Sequence, residues 1–164
     1  MDSVNEEIIS LIRSRNEDYY YDFKKEFHKR DEDLLYDIIC LSNNLENRDA
    51  YLIIGATADD FEVIGIDETS KSNNIYDFIK SKKIAGDFKP EIEIKNIYYK
   101  YKKLMVIKCK VTEHIRYYLI ERYGGIKDNT IYTRVGDTNT PKDRSASYNE
   151  IEKLWRIHFE REHE

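Results

Sequence analysis

The stretch E-D-Y-Y-Y-D-F-K-K-E-F, Glu17 to Phe27, decides how the fold is interpreted. Within it Tyr21 and Phe23 alternate with Asp22 and Lys24, and a period of two that is rich in aromatic residues is typical of a β-strand. Asp22 and Lys24 then share one face, because side chains two residues apart in a strand point the same way. The stretch therefore predicts a strand that carries an acid beside a lysine.

The rest of the chain shows helical and strand periodicity in an irregular order. Helices are predicted at residues 1–15, from Asp31 as the N-cap to Asn43-Asn44, from Asn73 or Asn74 through I-Y-D-F-I-K-S, and after Ser147, where Glu150 completes a capping box. Further strands are predicted at residues 50–56, 62–66 (as a hairpin partner of 50–56), 91–98, 104–111, 116–121 and 130–135. This order predicts an α+β fold with a mixed or antiparallel sheet and helices packed against it.

Length and composition indicate one globular domain. The 164 residues are 40% hydrophobic and 36% charged, which is enough apolar material for a core. We expect the domain to span residues 16–159, with the N-terminal helix at 1–15 before it and a tail at 160–164. Cys40 and Cys109 lie in apolar runs and are predicted to be buried free thiols.

The net charge of −5 restricts how the protein meets a polyanion. Lys and Arg number 27 against 32 Asp and Glu, so contact with nucleic acid requires a local basic patch. The start, M-D-S-V-N-E-E, has no basic segment and no long apolar run. We therefore expect a cytoplasmic protein with no membrane contact.

Common catalytic signatures are absent from the sequence. It has no G-x-x-x-x-G-K-[ST] loop, G-x-S-x-G elbow, C-x-x-C pair or H-E-x-x-H helix. The four histidines are scattered, and we expect surface or helix-end positions for His28, His114, His158 and His163.

Carboxylates around the first strand suggest a metal site. Glu17 and Asp22 precede Lys24, and Asp59 or Asp60 follows the apolar strand in a turn. A hard divalent cation that hydrolyses a phosphodiester needs oxygen ligands of this kind, and a lysine offsets phosphate charge. The alternative is a solvated strand edge followed by a turn that favours aspartate.

A second signal is the stretch K-N-I-Y-Y-K-Y-K-K-L-M-V-I-K-C-K, Lys95 to Lys110, which contains six lysines and three tyrosines. Lysines neutralise phosphates and tyrosines stack on unpaired bases, so Lys100, Tyr101, Lys102 and Lys103 are candidate nucleic-acid contacts. The alternative is an edge hairpin that lysines protect from aggregation.

The third signal is T-I-Y-T-R-V-G-D-T-N-T-P, a strand followed by a turn-rich loop. Arg134 and Lys142 are candidates for holding a phosphate, while Asp137 and Asn139 fix the loop through its own amides. The alternative is a structured turn that leads into the last helix.

Together these pieces resemble the Schlafen AlbA-like domain, which also occurs at the front of bacterial proteins once grouped as "divergent AAA". E-D-Y-Y-Y-D-F-K is similar to the family's opening E-x-x-x-x-E-F-K, and I-Y-T-R-V-G-D-T-N-T-P to its Y-x-R-x-G-S/D-x-N/T motif. Between them stand the helix end L-S-N-N, the strand L-I-I-G-A and its return V-I-G-I. The resemblance covers about residues 16–159 and implies a mixed-sheet fold associated with nucleic-acid binding.

In animal Schlafens the related core cuts tRNA and rRNA with a metal-dependent carboxylate triad. Carried over by position, Glu17 matches the first acid and Asp22 the second, shortened by one methylene. The third acid follows the I-G dipeptide closely in the family, whereas here Ala56, Thr57 and Ala58 precede Asp59 and Asp60.

The resemblance leaves three functions open. The first is a nucleic-acid-binding module that acts as an Mg²⁺- or Mn²⁺-dependent endoribonuclease on structured RNA such as tRNA, with Lys24 assisting the metal-bound acids. The second is a non-catalytic DNA-binding or regulatory module, as in a transcriptional regulator or a defence system. The third is a protein-interaction domain. RNA or DNA is the expected partner, and a homodimer is compatible with the sequence.

Overall fold

The computed structural model describes residues 3–14, 20–57, 62–67 and 71–162. The helices are α1 (Ser3–Ser14), α2 (Asp31–Ser42), α3 (Lys71–Lys80) and α4 (Tyr148–Glu162). The strands are β1 (Tyr21–Lys24), β2 (Ala50–Ile54), β3 (Ile92–Tyr99), β4 (Lys102–Cys109), β5 (Arg134–Val135) and β6 (Thr138–Asn139). The predicted α+β class is confirmed.

The main sheet has the strand order β1-β2-β4-β3 and is mixed. β1 runs parallel to β2, while β2 pairs antiparallel with β4 and β4 antiparallel with β3. A parallel pair needs a crossover, which α2 provides between β1 and β2. β5 and β6 form a separate short hairpin.

The sheet lies between helices on its two faces. Tyr21 and Phe23 of β1 belong to the same buried cluster as Ile8 and Ile12 of α1. On the other face, residues of β2 and β4 pack in a second cluster with α2 and α3. All five residues of β2 are buried, as expected for a strand covered on both faces. Because Tyr21 and Phe23 face α1, Asp22 and Lys24 face α2.

The last helix begins as predicted. Ser147 accepts at its Oγ a hydrogen bond from the Glu150 amide at 3.2 Å, and the Glu150 carboxylate accepts from the Ser147 amide at 2.8 Å. Leu154 and Ile157 of α4 pack on Ile115 in a third buried cluster.

Several predicted boundaries differ from the structure. Asp31 is the first residue of α2 and not its cap, since Arg30 holds the extended N-cap position. The predicted hairpin partner at 62–66 makes a single bridge, Ala56 to Val63, with further hydrogen bonds from Ile64 and Gly65 to the Gly55 oxygen.

Two predicted strands are also largely irregular. Residues 116–121 make one bridge, between Ile84 and Leu119, and the predicted strand at 130–135 is reduced to β5. At the start of 116–121 a side chain takes the place of a strand partner: the Asn43 amide bonds to the main-chain oxygen and nitrogen of Tyr117.

Cys40 and Cys109 are buried free cysteines, as predicted. Burial raises the pKa of the Cys109 thiol to about 12. None of the helices in the described part of the chain has the length and apolar character needed to cross a bilayer.

Candidate functional site

A group of charged and polar side chains lies between β1, α2 and the β5–β6 hairpin. We call it the β1–α2 charge cluster, and its members are Asp22, Lys24, His28, Asp37, Arg134 and Asn139. Asp22, Asp37 and Arg134 expose 6%, 5% and 2% of their surface. Buried charge is costly unless it is paired, so each of these groups requires the others.

Asp37 of α2 contacts three members of the cluster, His28, Asn139 and Lys24. His28 Nε2 lies 2.6 Å from Asp37 Oδ2, and Asn139 donates to Asp37 Oδ1 at 3.1 Å. A carboxylate only accepts, so His28 carries its proton on Nε2 and donates it. Among the described residues, none forms a hydrogen bond with His28 Nδ1.

Arg134 organises the other side of the cluster. Its Nη1 donates to Asn139 Oδ1 at 3.0 Å and lies 3.9 Å from Asp22 Oδ2. Its Nη2 donates to the main-chain oxygen of Tyr21 at 3.2 Å. The guanidinium therefore ties the β5–β6 hairpin to β1 from a buried position, so its predicted contact with phosphate requires a ligand that reaches into the cluster.

Lys24 contacts both acids of the cluster, Asp22 and Asp37. Its Nζ lies 3.4 Å from Asp22 Oδ2 and 3.6 Å from Asp37 Oδ2, and its side chain is 37% exposed. One ammonium thus sits between two carboxylates, where the cluster reaches the surface. Carboxylate oxygens are the donors that Mg²⁺ and Mn²⁺ prefer, and Mg²⁺ is commonly held by one or two carboxylates plus substrate phosphates. The donor chemistry fits a hard divalent cation.

The predicted metal set lies mostly outside the described part of the chain. Glu17, Asp59 and Asp60 lie outside the described residues, and Asp22 is the only one of the four predicted ligands inside them. Within the described ranges, no three His, Cys, Asp or Glu side chains form a group able to hold a metal. The predicted triad stays a prediction.

The lysine-rich stretch forms the β3–β4 hairpin, as predicted. Lys100 and Tyr101 make its turn with φ of 49° and 67°, which is the left-handed pair of a tight hairpin turn. Tyr101 is fully exposed. Lys102 pairs with Tyr99 and Lys103 with Tyr98, so the two lysines point to opposite faces of the sheet.

Lys142 is already held by two acids. Its Nζ contacts Asp33 and lies 3.4 Å from Glu32 Oε2, which also accepts from the Gly125 amide at 2.6 Å. The hydrogen bond from Lys142 holds the pKa of Asp33 below its ordinary value. Contact between Lys142 and a phosphate would compete with these acids.

Sequence reasoning missed Asp37 and misplaced His28. Asp37 is spaced with Leu34 and Leu41 on the buried side of α2, and an acid on an apolar helix face was the available signal. The His28 side chain is 8% exposed, which contradicts the expected surface position. No local pattern indicated its pairing with a residue nine positions later.

Comparison with known proteins places the chain in a family. The family described as "Schlafen, AlbA_2" matches residues 17–143. Among solved structures, the chain is similar to the DIP2311 protein from Corynebacterium diphtheriae, at 16% identity and a TM-score of 0.49, over 85% of this chain and 27% of that one. None of the curated proteins matches. The chain belongs to the Schlafen AlbA_2 family.

Proposed function

We propose that this domain binds nucleic acid through its β3–β4 hairpin. The observation that carries the proposal is the tight turn at Lys100 and Tyr101, which holds a fully exposed tyrosine between lysines in a chain of net charge −5. A lysine neutralises a phosphate, and an exposed aromatic face stacks on an unpaired base. The family is associated with nucleic-acid-related modules and supports the same function.

The test is a binding titration with labelled tRNA and single-stranded DNA over a range of salt concentrations. Tyr101→Ala should weaken binding by about 1–3 kcal/mol, the usual value for one stacked base. Tyr148→Ala is the matched control, because Tyr148 is 82% exposed and belongs to α4 and not to the hairpin. Equal losses of affinity in the two variants, or an affinity that is insensitive to salt, would contradict the proposal.

A second candidate function is cleavage of structured RNA that depends on Mg²⁺ or Mn²⁺. It is favoured by the position of Lys24 Nζ between Asp22 and Asp37. Glu17, Asp22 and one of Asp59 or Asp60 would hold the metal, which supplies a Lewis acid for developing negative charge on phosphate.

The residues of the chain have separate roles in this candidate function. Asp22 is held in place by Lys24 and Arg134, so its carboxylate is oriented before any ligand arrives. Lys24 is partly exposed and can turn from the acids towards the phosphate of the RNA. His28 and Asn139 keep Asp37 in position and leave its charge available to Lys24.

Incubation of tRNA with the protein, in Mn²⁺ or in chelator, tests the cleavage. Asp22→Asn is the appropriate variant because it keeps the shape of a buried side chain, and it is combined with Glu17→Gln. We expect cleavage in Mn²⁺ only, with its loss in the double variant at a temperature where that variant is still folded, since Asp22→Asn also removes the ion pair with Arg134. Cleavage that persists in chelator contradicts a metal-dependent reaction.

Binding without cleavage under all these conditions would favour the non-catalytic alternative, a DNA-binding or regulatory module. Relative affinity for DNA and RNA of the same sequence then identifies the partner. Sedimentation of the same samples tests the predicted homodimer.

A further inference from the structure

A groove lies between the last turn of α1 and the β3–β4 hairpin, outside the β1–α2 charge cluster. Its volume is about 350 Å³, and its lining is mostly polar or charged: Ile12, Arg13, Glu62, Val63, Tyr99, Lys100 and Lys102. Three of these side chains are cationic and one is a carboxylate. In an acidic chain this is a local basic patch, the feature that contact with a polyanion requires.

Two cations of the groove converge on one phenol. Arg13 and Lys100 line the groove together with Tyr99, and the Lys100 Nζ lies 5.3 Å from the centre of the Tyr99 ring. Hydrogen bonding by Arg13, with the charge of Lys100, lowers the pKa of the Tyr99 hydroxyl below its ordinary value of 10.0. The phenol has an O–H to donate, and the nearby charges make that O–H a stronger donor.

We propose that Arg13, Tyr99 and Lys100 form a binding subsite for one backbone phosphate of single-stranded nucleic acid. The subsite rests on the proposed function and extends the contact surface from the hairpin to α1. The guanidinium and the ammonium supply charge, and the phenol supplies a neutral donor aimed at the same anion.

The remaining lining residues fit a phosphodiester. Lys102 Nζ donates to the main-chain oxygen of Val63 at 3.1 Å, so it adds charge at the rim while remaining held. The single carboxylate, Glu62, reduces the positive charge of the groove, which suits the one negative charge of a phosphodiester better than a free phosphate dianion.

The neighbouring turn indicates that the strand is unpaired. Tyr101 directly follows Lys100 and is fully exposed, so a base attached to a phosphate in the groove has an aromatic face beside it. Stacking of this kind requires a base that is free of a duplex partner.

The test measures the affinity of the full chain for a short labelled oligouridylate, by fluorescence anisotropy, over a series of NaCl concentrations. Arg13→Gln and Lys100→Gln should each weaken binding about tenfold and reduce the salt slope by about 0.7. Tyr99→Phe should weaken binding about threefold with the slope unchanged, because it removes a neutral donor and no charge. Arg13 and Lys100 are exposed, so the fold tolerates their replacement.

Lys153→Gln on α4 is the matched control, since it removes one charge from an exposed helix position that does not line the groove. Its affinity should equal that of the unmodified protein. If Arg13→Gln and Tyr99→Phe bind normally while Tyr101→Ala binds weakly, the subsite is wrong and the proposed function stands. If the unmodified chain does not bind the oligonucleotide, both are wrong.

Inorganic phosphate is the second probe, followed by the NMR signals of Tyr99 and Arg13. The subsite predicts that oligouridylate shifts these signals at far lower concentration than inorganic phosphate does at the same ionic strength. Equal potency per phosphate group would overturn the assignment to a nucleic-acid backbone.

Discussion

The side-chain amide of Asn43 forms hydrogen bonds with both the main-chain oxygen and the main-chain nitrogen of Tyr117. Asn43 Nδ2 donates to the Tyr117 oxygen at 2.7 Å, and Asn43 Oδ1 accepts from the Tyr117 amide at 2.7 Å. The Asn43 side chain also donates from Nδ2 to the Tyr132 oxygen at 2.9 Å and accepts at Oδ1 from the Arg116 nitrogen at 2.7 Å. One side chain therefore joins the end of α2 to two irregular segments that have no strand partner of their own there.

Replacement of Asn43 should be among the most damaging substitutions in the chain. Asn43→Ala leaves four main-chain groups without this partner, three of them in buried hydrogen bonds, and a buried group costs about 1–3 kcal/mol when it stays unsatisfied. Water that enters the gap recovers part of this, so we expect a loss of about 3–5 kcal/mol in the free energy of unfolding. Urea denaturation followed by circular dichroism measures it.

Asn149→Ala is the control for Asn43, because Asn149 is exposed in the first turn of α4. Its effect should stay within about 0.5 kcal/mol. Similar effects at the two positions would show that the Asn43 contacts do not carry the stability assigned to them.

Arg134 should affect stability more than affinity. Arg134→Gln removes a charge beside the buried Asp22 and the bond to the Tyr21 oxygen, and breaking a buried ion pair costs about 3–5 kcal/mol. Arg134→Lys should recover only part of it, because an ammonium cannot reproduce the planar fork that reaches Tyr21 and Asn139 together.

The readouts for Arg134 are the urea midpoint and the nucleic-acid affinity of the folded fraction. If affinity falls tenfold or more in Arg134→Lys while the midpoint is unchanged, Arg134 contacts the ligand directly, as its sequence context predicted.

The ion pairs of Lys142 predict a pH dependence on the acid side. A hydrogen bond from the Gly125 amide and the charge of Lys142 lower the pKa of Glu32 below 4.5, and the bond from Lys142 lowers that of Asp33 below 3.8. Both acids bind protons less tightly in the folded chain than in the unfolded chain. Their stabilisation is therefore present above these ordinary values and is lost as the pH falls through the lower folded values.

Lys142→Met tests this dependence through melting temperatures measured from neutral pH down to about pH 3, where both ordinary values have been passed. The variant should lose less stability on acidification than the unmodified chain. The part of the pH dependence that comes from the hydrogen bond between the Gly125 amide and Glu32 should remain. Lys153→Met, on the exposed face of α4, should follow the unmodified curve. A parallel curve for Lys142→Met would contradict the assignment.

Gly55 should not tolerate a side chain. Its φ is +117°, and a Cβ built there would lie 2.7 Å from Leu104 Cδ2 and 3.3 Å from the Lys103 oxygen. We expect Gly55→Ala to reduce the free energy of unfolding by about 1–3 kcal/mol through strain and displacement of Leu104. A change below about 0.5 kcal/mol, typical of an unconstrained position, would contradict the conformation described for this turn.

The parts of the fold that follow from local pattern were predictable. β2 and β4 contain continuous apolar runs, β3 begins with an alternation of apolar and polar residues, and the Ser147–Glu150 capping box is a local exchange of hydrogen bonds. The segment at 116–121 has the right alternation, because Tyr117 and Leu119 are buried, but it pairs with a neighbouring segment only at the bridge between Leu119 and Ile84. Alternation reports burial of one face and does not report which groups satisfy the peptide bonds.

The candidate site was predictable only where it lies within one element. Asp22 and Lys24 are two residues apart in β1 and contact each other, as their spacing predicted. Asp37 and Arg134 join them from α2 and β5, and this meeting depends on how distant elements pack. The helical periodicity of a sequence predicts that an acid on an apolar helix face is buried, but it does not predict which residues pair with that acid.

Lys102 and Lys103 are adjacent in the chain but lie on opposite faces of the sheet. A single phosphate cannot contact both, because the thickness of the hairpin separates them. A nucleic acid that used every lysine of this segment would have to pass around the turn at Lys100 and Tyr101, so its path would bend at the tip of the hairpin. Two separate strands could instead occupy the two faces, and the hairpin would then hold them apart.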